Sequence, residues 1–422
     1  MNSTSRYALL AALGLAVAAI APEAPAFAKK KEEAPAKPAL KLSDAVRKSL
    51  SEAETALKSK DAAAAEAAVN TARSLAKTPD EQYAVAQYQL NAAQLTGDQA
   101  KLSTALDELI TTGEAAGQLT PELRAKYYWF QTQFAYQARN YAKTEAAASA
   151  AIAAGSQEPD VYVVLADAQN RNGKPAEAIA TLQKVIDAKA AAGQSVPTEW
   201  YARGADMASR AKLPAPFVKI TTAWLTAYPM KQNWHDTLFI YRQISGAAET
   251  DLDLLRLSRA VGALPLSAQV NYLDYALAVY LRFPNEAVDV LNEGIAAGKL
   301  NPATSKNTSE ILALSKPKIA ADKASIPSAL SAAAGPKATY KSALTAGDLV
   351  YGYKDFAKAA EMYKLALAKP GADAAQANFR LGLALAQAGD KEGAKAAFGA
   401  VQSGPYAPLA TYGKIWVDHP AS

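Results

Sequence analysis

Two histidines, His235 and His419, are the chain's whole supply of imidazole, and there is no cysteine. Protein zinc sites draw their ligands mainly from His, Cys and carboxylates, so a metal site built on a histidine cluster is excluded. Thiolate chemistry and disulfide staples fall with it. His235 stands in Asn233-Trp234-His235-Asp236, where an imidazole beside a carboxylate has the makings of a general base. The reading favoured here is that Asn233 caps a helix and His235 lies on its exposed face. His419 is expected to be solvated. Asp251 and Asp253 offer paired carboxylates, but two residues apart on a helix they face different ways and are expected to be solvated too. No G-x-S-x-G elbow, phosphate-cradling glycine loop or calcium loop occurs. No catalytic, cofactor-binding or metal-binding residue is therefore assigned, and the chain is expected not to be an enzyme. Aromatic residues are the remaining candidates. Tyr127-Tyr128-Trp129-Phe130, Phe134 and Tyr136 load one segment, and Trp200-Tyr201, Trp224 and Trp234 follow. Most of these should be core.

Arg6, the uncharged apolar run Tyr7 to Ala21, and the small-x-small triplet Ala26-Phe27-Ala28 come in the order of a secretory signal. The run has 15 residues before Pro22 and Glu23, short of the ~20 that a bilayer core requires. Cleavage after residue 28 is expected, leaving no membrane span and a periplasmic or secreted protein. Lipid-anchored signals need a cysteine at the cut, which is absent. The net charge of +5 is spread over 45 basic and 40 acidic residues. Nucleic-acid binders usually concentrate basic charge in a stripe, so nucleic acid is not an expected partner.

Residues 29–40 (KKKEEAPAKPAL) read as a disordered tether with little to bury. Helical spacing begins with Leu42, Ala45, Val46, Leu50, Ala53 and Leu57. Breaks follow at Thr78-Pro79-Asp80, Thr96-Gly97-Asp98, Thr120-Pro121-Glu122 and between Gly155 and Pro159, each supplying a cap or proline for the next helix. No run alternates apolar and polar residues, so the fold class is all-α.

Internal repetition sharpens this reading. Gly347, Val350, Ala359, Tyr363 and Ala366 return 35 residues later as Gly382, Leu385, Ala394, Phe398 and Val401. Upstream, Thr132, Arg139, Thr144, Ala148 and Ala151 return after 34 residues as Ala166, Gly173, Ala178, Leu182 and Val185. Leu381-Gly382-x-x-Leu385 resembles the first-helix motif of the tetratricopeptide (TPR) family. Ala359-x-x-x-Tyr363 and Ala394-x-x-x-Phe398 resemble its second-helix motif, and Pro370 its closing proline. Weaker units open at Trp200-x-x-Arg203-Gly204 and span 271–298. The resemblance implies an α-solenoid of antiparallel helix pairs wound into a right-handed superhelix. On this reading residues 41–300 form an N-terminal array and 301–340 a linker or irregular helical segment. Residues 341–422 form a C-terminal pair with a capping helix from Tyr406.

In TPR arrays the first helix of each pair lines the concave face. Register then places Lys126, Trp129, Gln133, Tyr136, Asp160, Asp167, Asn170, Arg171 and Tyr201 in a partner-binding groove. Lys341, Tyr351, Gln376 and Phe379 line its C-terminal continuation. Some family members hold a partner's C-terminal carboxylate with lysines and asparagines at set concave places. Trp129, Gln133 and Val164 occupy such places here, which argues against that mode. The implied function is an exported, non-catalytic scaffold for a protein or peptide. The alternatives are a helical protein acting on cell-wall glycan or polysaccharide, and a structural subunit of an envelope assembly.

Overall fold

A computed structural model describes residues 39–422. The expected signal and almost all of the tether lie outside the described residues. Every regular element among them is helical. The chain divides into two compact units, one ending at Ala192 and the other running from Gly193 to Ser422. That division falls inside the stretch read from sequence as one array over 41–300.

The N-terminal unit consists of four helix pairs. These are α1 (Asp44–Lys58) with α2 (Ala62–Leu75), and α3 (Pro79–Thr96) with α4 (Gln99–Ala115). They continue with α5 (Pro121–Gln137) and α6 (Tyr141–Ala153), then α7 (Pro159–Arg171) and α8 (Pro175–Ala191). Each helix packs on the next, and first helices of neighbouring pairs touch, α1 on α3 and α5 on α7. No pair covers its own apolar face, so the core is shared: Tyr83 and Leu90 of α3 meet Leu102, Leu106 and Leu109 of α4 and Tyr127, Phe130 and Phe134 of α5. Thr78 caps α3 in a reciprocal box with Glu81. The Glu81 carboxylate also accepts from Ser43 and Lys77 N–H. Hydrogen bonds from Ser43, then from the backbone at Lys77, Ser43 and Thr78, lower its pKa to about 2.

One backbone device recurs in the turns within pairs. The turn passes through a left-handed residue at Lys60, Gly97, Arg139 and Gly173 in this unit, and at Lys212, Lys354 and Gly389 in the next. The residue that follows is usually Asp or Asn and caps the second helix, as Asp61, Asp98, Asn140, Asp355 and Asp390 do. Its N–H also reaches back to the first helix, as Asn140 does to the Ala135 carbonyl at 2.9 Å. Arg139, at φ 57, pays a steric cost that Gly173, at φ 78, does not. Arg139→Gly should therefore raise stability by about 0.5–1 kcal/mol, offset in part by the looser unfolded chain. Urea unfolding checks this; a loss of stability would show that the left-handed turn is not strained.

The C-terminal unit runs through α9 (Thr198–Arg210), α10 (Pro214–Ala227), α11 (Lys231–Ser245), α12 (Asp251–Ala260), α13 (Gln269–Val279) and α14 (Pro284–Ala296). It continues with α15 (Lys306–Ser315), α16 (Ile319–Ala334), α17 (Tyr340–Gly352), α18 (Phe356–Leu367), α19 (Ala374–Gln387), α20 (Lys391–Gly399) and α21 (Ala407–Asp418). Residues 301–340 hold α15 and α16. Ile311 and Leu312 are buried with Tyr272 and Leu291, and Ile319 and Ile326 pack on the same cluster, so this stretch is part of the core wall.

Both motif pairs pack as the repeat demands. A Cβ on Gly347 would lie 2.5 Å from the Tyr363 ring, and one on Gly382 would lie 2.6 Å from the Phe398 ring. Ala359 and Ala394 are fully buried beside them. The unit's two ends also meet. The capping helix α21 packs on α19 and α20, and also on α10 and α12. Tyr412 shares a 2.8 Å hydrogen bond with Thr221 and stands edge-on to Tyr241. Ser422 pairs through its backbone with Pro229 and Lys231.

Candidate functional site

The groove residues expected on α5 and α7 are each half-buried or exposed in the N-terminal unit. Thr120 caps α5 and Pro121 opens it, which sets the register of Lys126, Trp129, Gln133 and Tyr136 at helical steps. Trp129 packs on the edge of a cluster of Ala148, Ala151, Val161 and Leu165 and stays half-buried. Lys126 Nζ sits 5.9 Å over the Phe130 ring. The Tyr136 hydroxyl donates to Asp167 Oδ2 at 2.7 Å, and Arg171 Nε donates to the same oxygen at 2.7 Å. Arg171 also lies 5.0 Å from the Tyr141 ring centroid, and Tyr141 meets Tyr136 edge-on at 6.0 Å. The hydrogen bond to Asp167 is the main cause of a raised Arg171 pKa. Gln133 Oε1 is buried without a hydrogen-bond partner, an acceptor that proteins rarely leave unmet. Asn170 is half-buried beside this group on α7, and Asp160 is exposed on its first turn. Below the face, Gln131 donates to Asp107 at 2.7 Å and Lys143 pairs with the same carboxylate, bracing α5 against α4 and α6.

The C-terminal half of the expected groove is not open. Tyr201 is buried edge-on against Tyr228 at 6.2 Å. Phe379 is fully buried between Phe398 and Tyr406, and Tyr351 lies under the Arg256 guanidinium at 4.8 Å. Gln376 is tied between Tyr340 and Tyr406. Lys341 alone of this set is exposed. Around Tyr351 and Phe379 the physical reason is that α12 packs on this face and places two charged side chains there.

Asp253 and Arg256 of α12 enter an ionic cluster with Glu286 (α14), Asp348 (α17) and Arg380 (α19). Arg256 grips Glu286 with two hydrogen bonds of 2.9 and 2.8 Å and reaches Asp348 at 2.9 Å. Arg380 grips Asp253 and donates to the other Asp348 oxygen at 2.7 Å. Tyr275, Tyr363 and Tyr406 donate to Glu286, Asp348 and Asp253. Asp253 and Glu286 are completely buried, and Arg256 is 1% exposed. Burial pushes the Asp348 carboxyl up, but Arg380 and Arg256 outweigh that and hold it below the usual range. Asp253 is thus a buried anchor rather than the solvated residue expected. Asp251 is half-exposed and takes two hydrogen bonds from Arg242.

His235 is half-buried, stacked on Phe239 at 5.7 Å, with Nδ1 2.9 Å from Asp236. Asn233 caps nothing; it lies inside α11, buried, and donates to the Tyr228 carbonyl. The small adjoining cleft has one cation, Arg242, already bonded to Asp251, Asn271 and Asp274. Among the described residues no cluster of three His or carboxylate groups could hold a metal, and no helix is long and apolar enough to cross a membrane.

No family model matches the chain, and no curated protein matches it. Among solved structures it is similar to Naa15/Naa10 bound to HypK-THB, at 13% identity and TM-score 0.26, covering 87% of this chain and 70% of that one. It is also similar to a Rap protein complexed with competence and sporulation factor, at 11% identity and TM-score 0.24, covering 88% and 98%. A third is yeast Tom70, at 10% identity and TM-score 0.23, covering 88% and 94%. Scores this low add no argument, and the all-α solenoid assignment rests on the helix pairing described above.

Proposed function

We propose that this chain is an exported, non-catalytic scaffold that holds a protein or peptide segment against the α5–α7 face of its N-terminal unit. The supporting observation is the pair of half-buried aromatics Trp129 and Tyr136 on α5, with Asp167 and Arg171 fixing the tyrosine. Rigid aromatics beside polar groups are the usual composition of binding hot spots. An extended segment would cover the aromatic edges and meet the polar groups beside them. Export is supported by the basic, apolar and small-residue order of residues 1–28.

Selecting phage-displayed peptides on the mature chain tests this reading. Enriched peptides should lose binding by about 30-fold or more on Trp129→Ala/Tyr136→Ala, the loss expected for removing hot-spot aromatics. Lys184→Glu, on the second helix of a pair, should leave binding unchanged. Far-UV circular dichroism must show that the double variant stays helical. Peptides retained by the folded double variant would sink the proposal.

A further inference from the structure

We infer that α16 and the lysines around it form a peripheral docking surface for an anionic lipid bilayer. Between residues 299 and 341 the chain carries seven lysines and no arginine, against two carboxylates, Glu310 and Asp322. That excess matches the net charge of the entire chain, +5, so positive charge is concentrated here and balanced elsewhere. All seven lysines are exposed. The two carboxylates are already engaged: Glu310 meets Lys306 at 3.6 Å, and Asp322 is half-buried and accepts from the Tyr353 hydroxyl at 2.9 Å. Among the described residues the ammonium groups of Lys316, Lys318, Lys323, Lys337 and Lys341 have no hydrogen bond or ion pair.

Helix geometry arranges these charges around a bare centre. Ile319, Ile326 and Ala329 turn one side of α16 to the core. Lys318 and Lys323 fall on either edge of that line at helical spacing. The opposite line, Ala320, Ala324, Ser328 and Ser331, is exposed and carries only small side chains. The helix is 16 residues long, which sets the lysines at its start about 24 Å from those beyond its end. A lysine ammonium is a point charge that attracts phosphate without fixing its orientation, which suits a fluid array of headgroups. Base recognition draws on arginine and stacked aromatic rings, and the exposed residues of this stretch include neither. A protein partner is held by anchors that fill pockets, and a line of alanine and serine offers none. A headgroup plane needs no pocket, and short side chains let the flanking ammonium groups reach it. Leu314, 52% exposed, is the one large apolar side chain of the stretch open to solvent. The apolar side of α16 is committed to the core, so the contact is electrostatic and confined to the membrane surface. The surface belongs to the C-terminal unit and does not depend on the α5–α7 reading.

Flotation of the mature chain with phosphatidylcholine vesicles containing about one-third phosphatidylglycerol is the test. The chain should float with them in about 0.1 M salt, leave them at about 0.5 M, and ignore pure phosphatidylcholine. Each lysine near an anionic surface strengthens binding about five-fold, so Lys316→Gln/Lys318→Gln/Lys323→Gln should weaken it roughly 100-fold. Lys48→Gln/Lys184→Gln/Lys219→Gln removes the same charge from three exposed positions elsewhere. It should bind within about two-fold of wild type, because salt screens charges beyond about 10 Å. Circular dichroism should be the same for all three proteins, since every substitution is of an exposed side chain. A wild-type chain that does not float with the anionic vesicles overturns the inference, as does binding that the two triple variants keep or lose alike. Capture on immobilised DNA or polyglutamate without vesicle binding overturns the lipid assignment as well.

Discussion

Arg256→Met should destabilise the C-terminal unit by about 3–5 kcal/mol, the cost of leaving buried carboxylates without their cation. Glu286 would lose both of its guanidinium bonds and Asp348 one of two. The remaining donors, Tyr275 and Tyr363, are neutral, and burial pushes their pKa values well up. Urea unfolding should show the loss at neutral pH. It should also show it shrinking in acid. The folded Asp348 carboxyl titrates below its unfolded value of about 3.9, so its stabilisation is complete above that pH. It is lost as pH falls through the lower, folded value. A variant as stable as wild type at pH 7 would mean that the cluster contributes nothing net. Replacing all five charged residues with apolar ones of similar volume is a different experiment, and buried ion groups often tolerate it. The cluster ties α12 to α19, 127 residues away in sequence.

Phe398→Ala should cost about 3–5 kcal/mol, as aromatic truncation in a close-packed core does. The ring is fully buried against Phe379 and held between two glycines. A Cβ on Gly382 would lie 2.6 Å from Cδ1, and one on Gly413 2.6 Å from Cζ. The ring cannot retreat from one side without meeting the other. Gly382→Ala should therefore lose about 1–3 kcal/mol, even though alanine is the better helix former by about 1 kcal/mol. Gly399→Ala, in the same helix pair with nothing within 4 Å, is the control and should be neutral or stabilising. Thermal unfolding of the three variants decides the matter. A Gly382→Ala protein at or above wild-type stability would remove the close-approach account of the repeat.

The residues around Gly382 and Phe398 also show how much was legible beforehand. A small residue on one helix and an aromatic on the next, recurring after 35 residues, is a local pattern, and local geometry executes it. The same holds for the caps at Thr78, Asp98 and Thr120. It holds for Lys126, Trp129, Gln133 and Tyr136, whose helical spacing is enough to share a face. Tyr136 bonding to Asp167 crosses only one repeat. Asp253, Arg256, Glu286, Asp348 and Arg380 left a fainter trace, as charges inside apolar runs such as Leu254-Leu255-Arg256-Leu257 and Phe379-Arg380-Leu381. The same trace would mark a solvated stripe.

Helix content and the helix starts at Thr78, Asp98 and Thr120 were therefore determined by sequence alone. They depend on capping, helical periodicity and contacts between adjacent repeats, all written within about 35 residues of chain. Whether the C-terminal helices offer an open face was decided only by tertiary structure. Repeat spacing describes how each helix meets its neighbour. It is silent on α12 and α21 closing against helices far along the chain, where Arg256, Arg380 and Tyr412 find their partners. Burial of Tyr351 and Phe379 follows from that long-range closure.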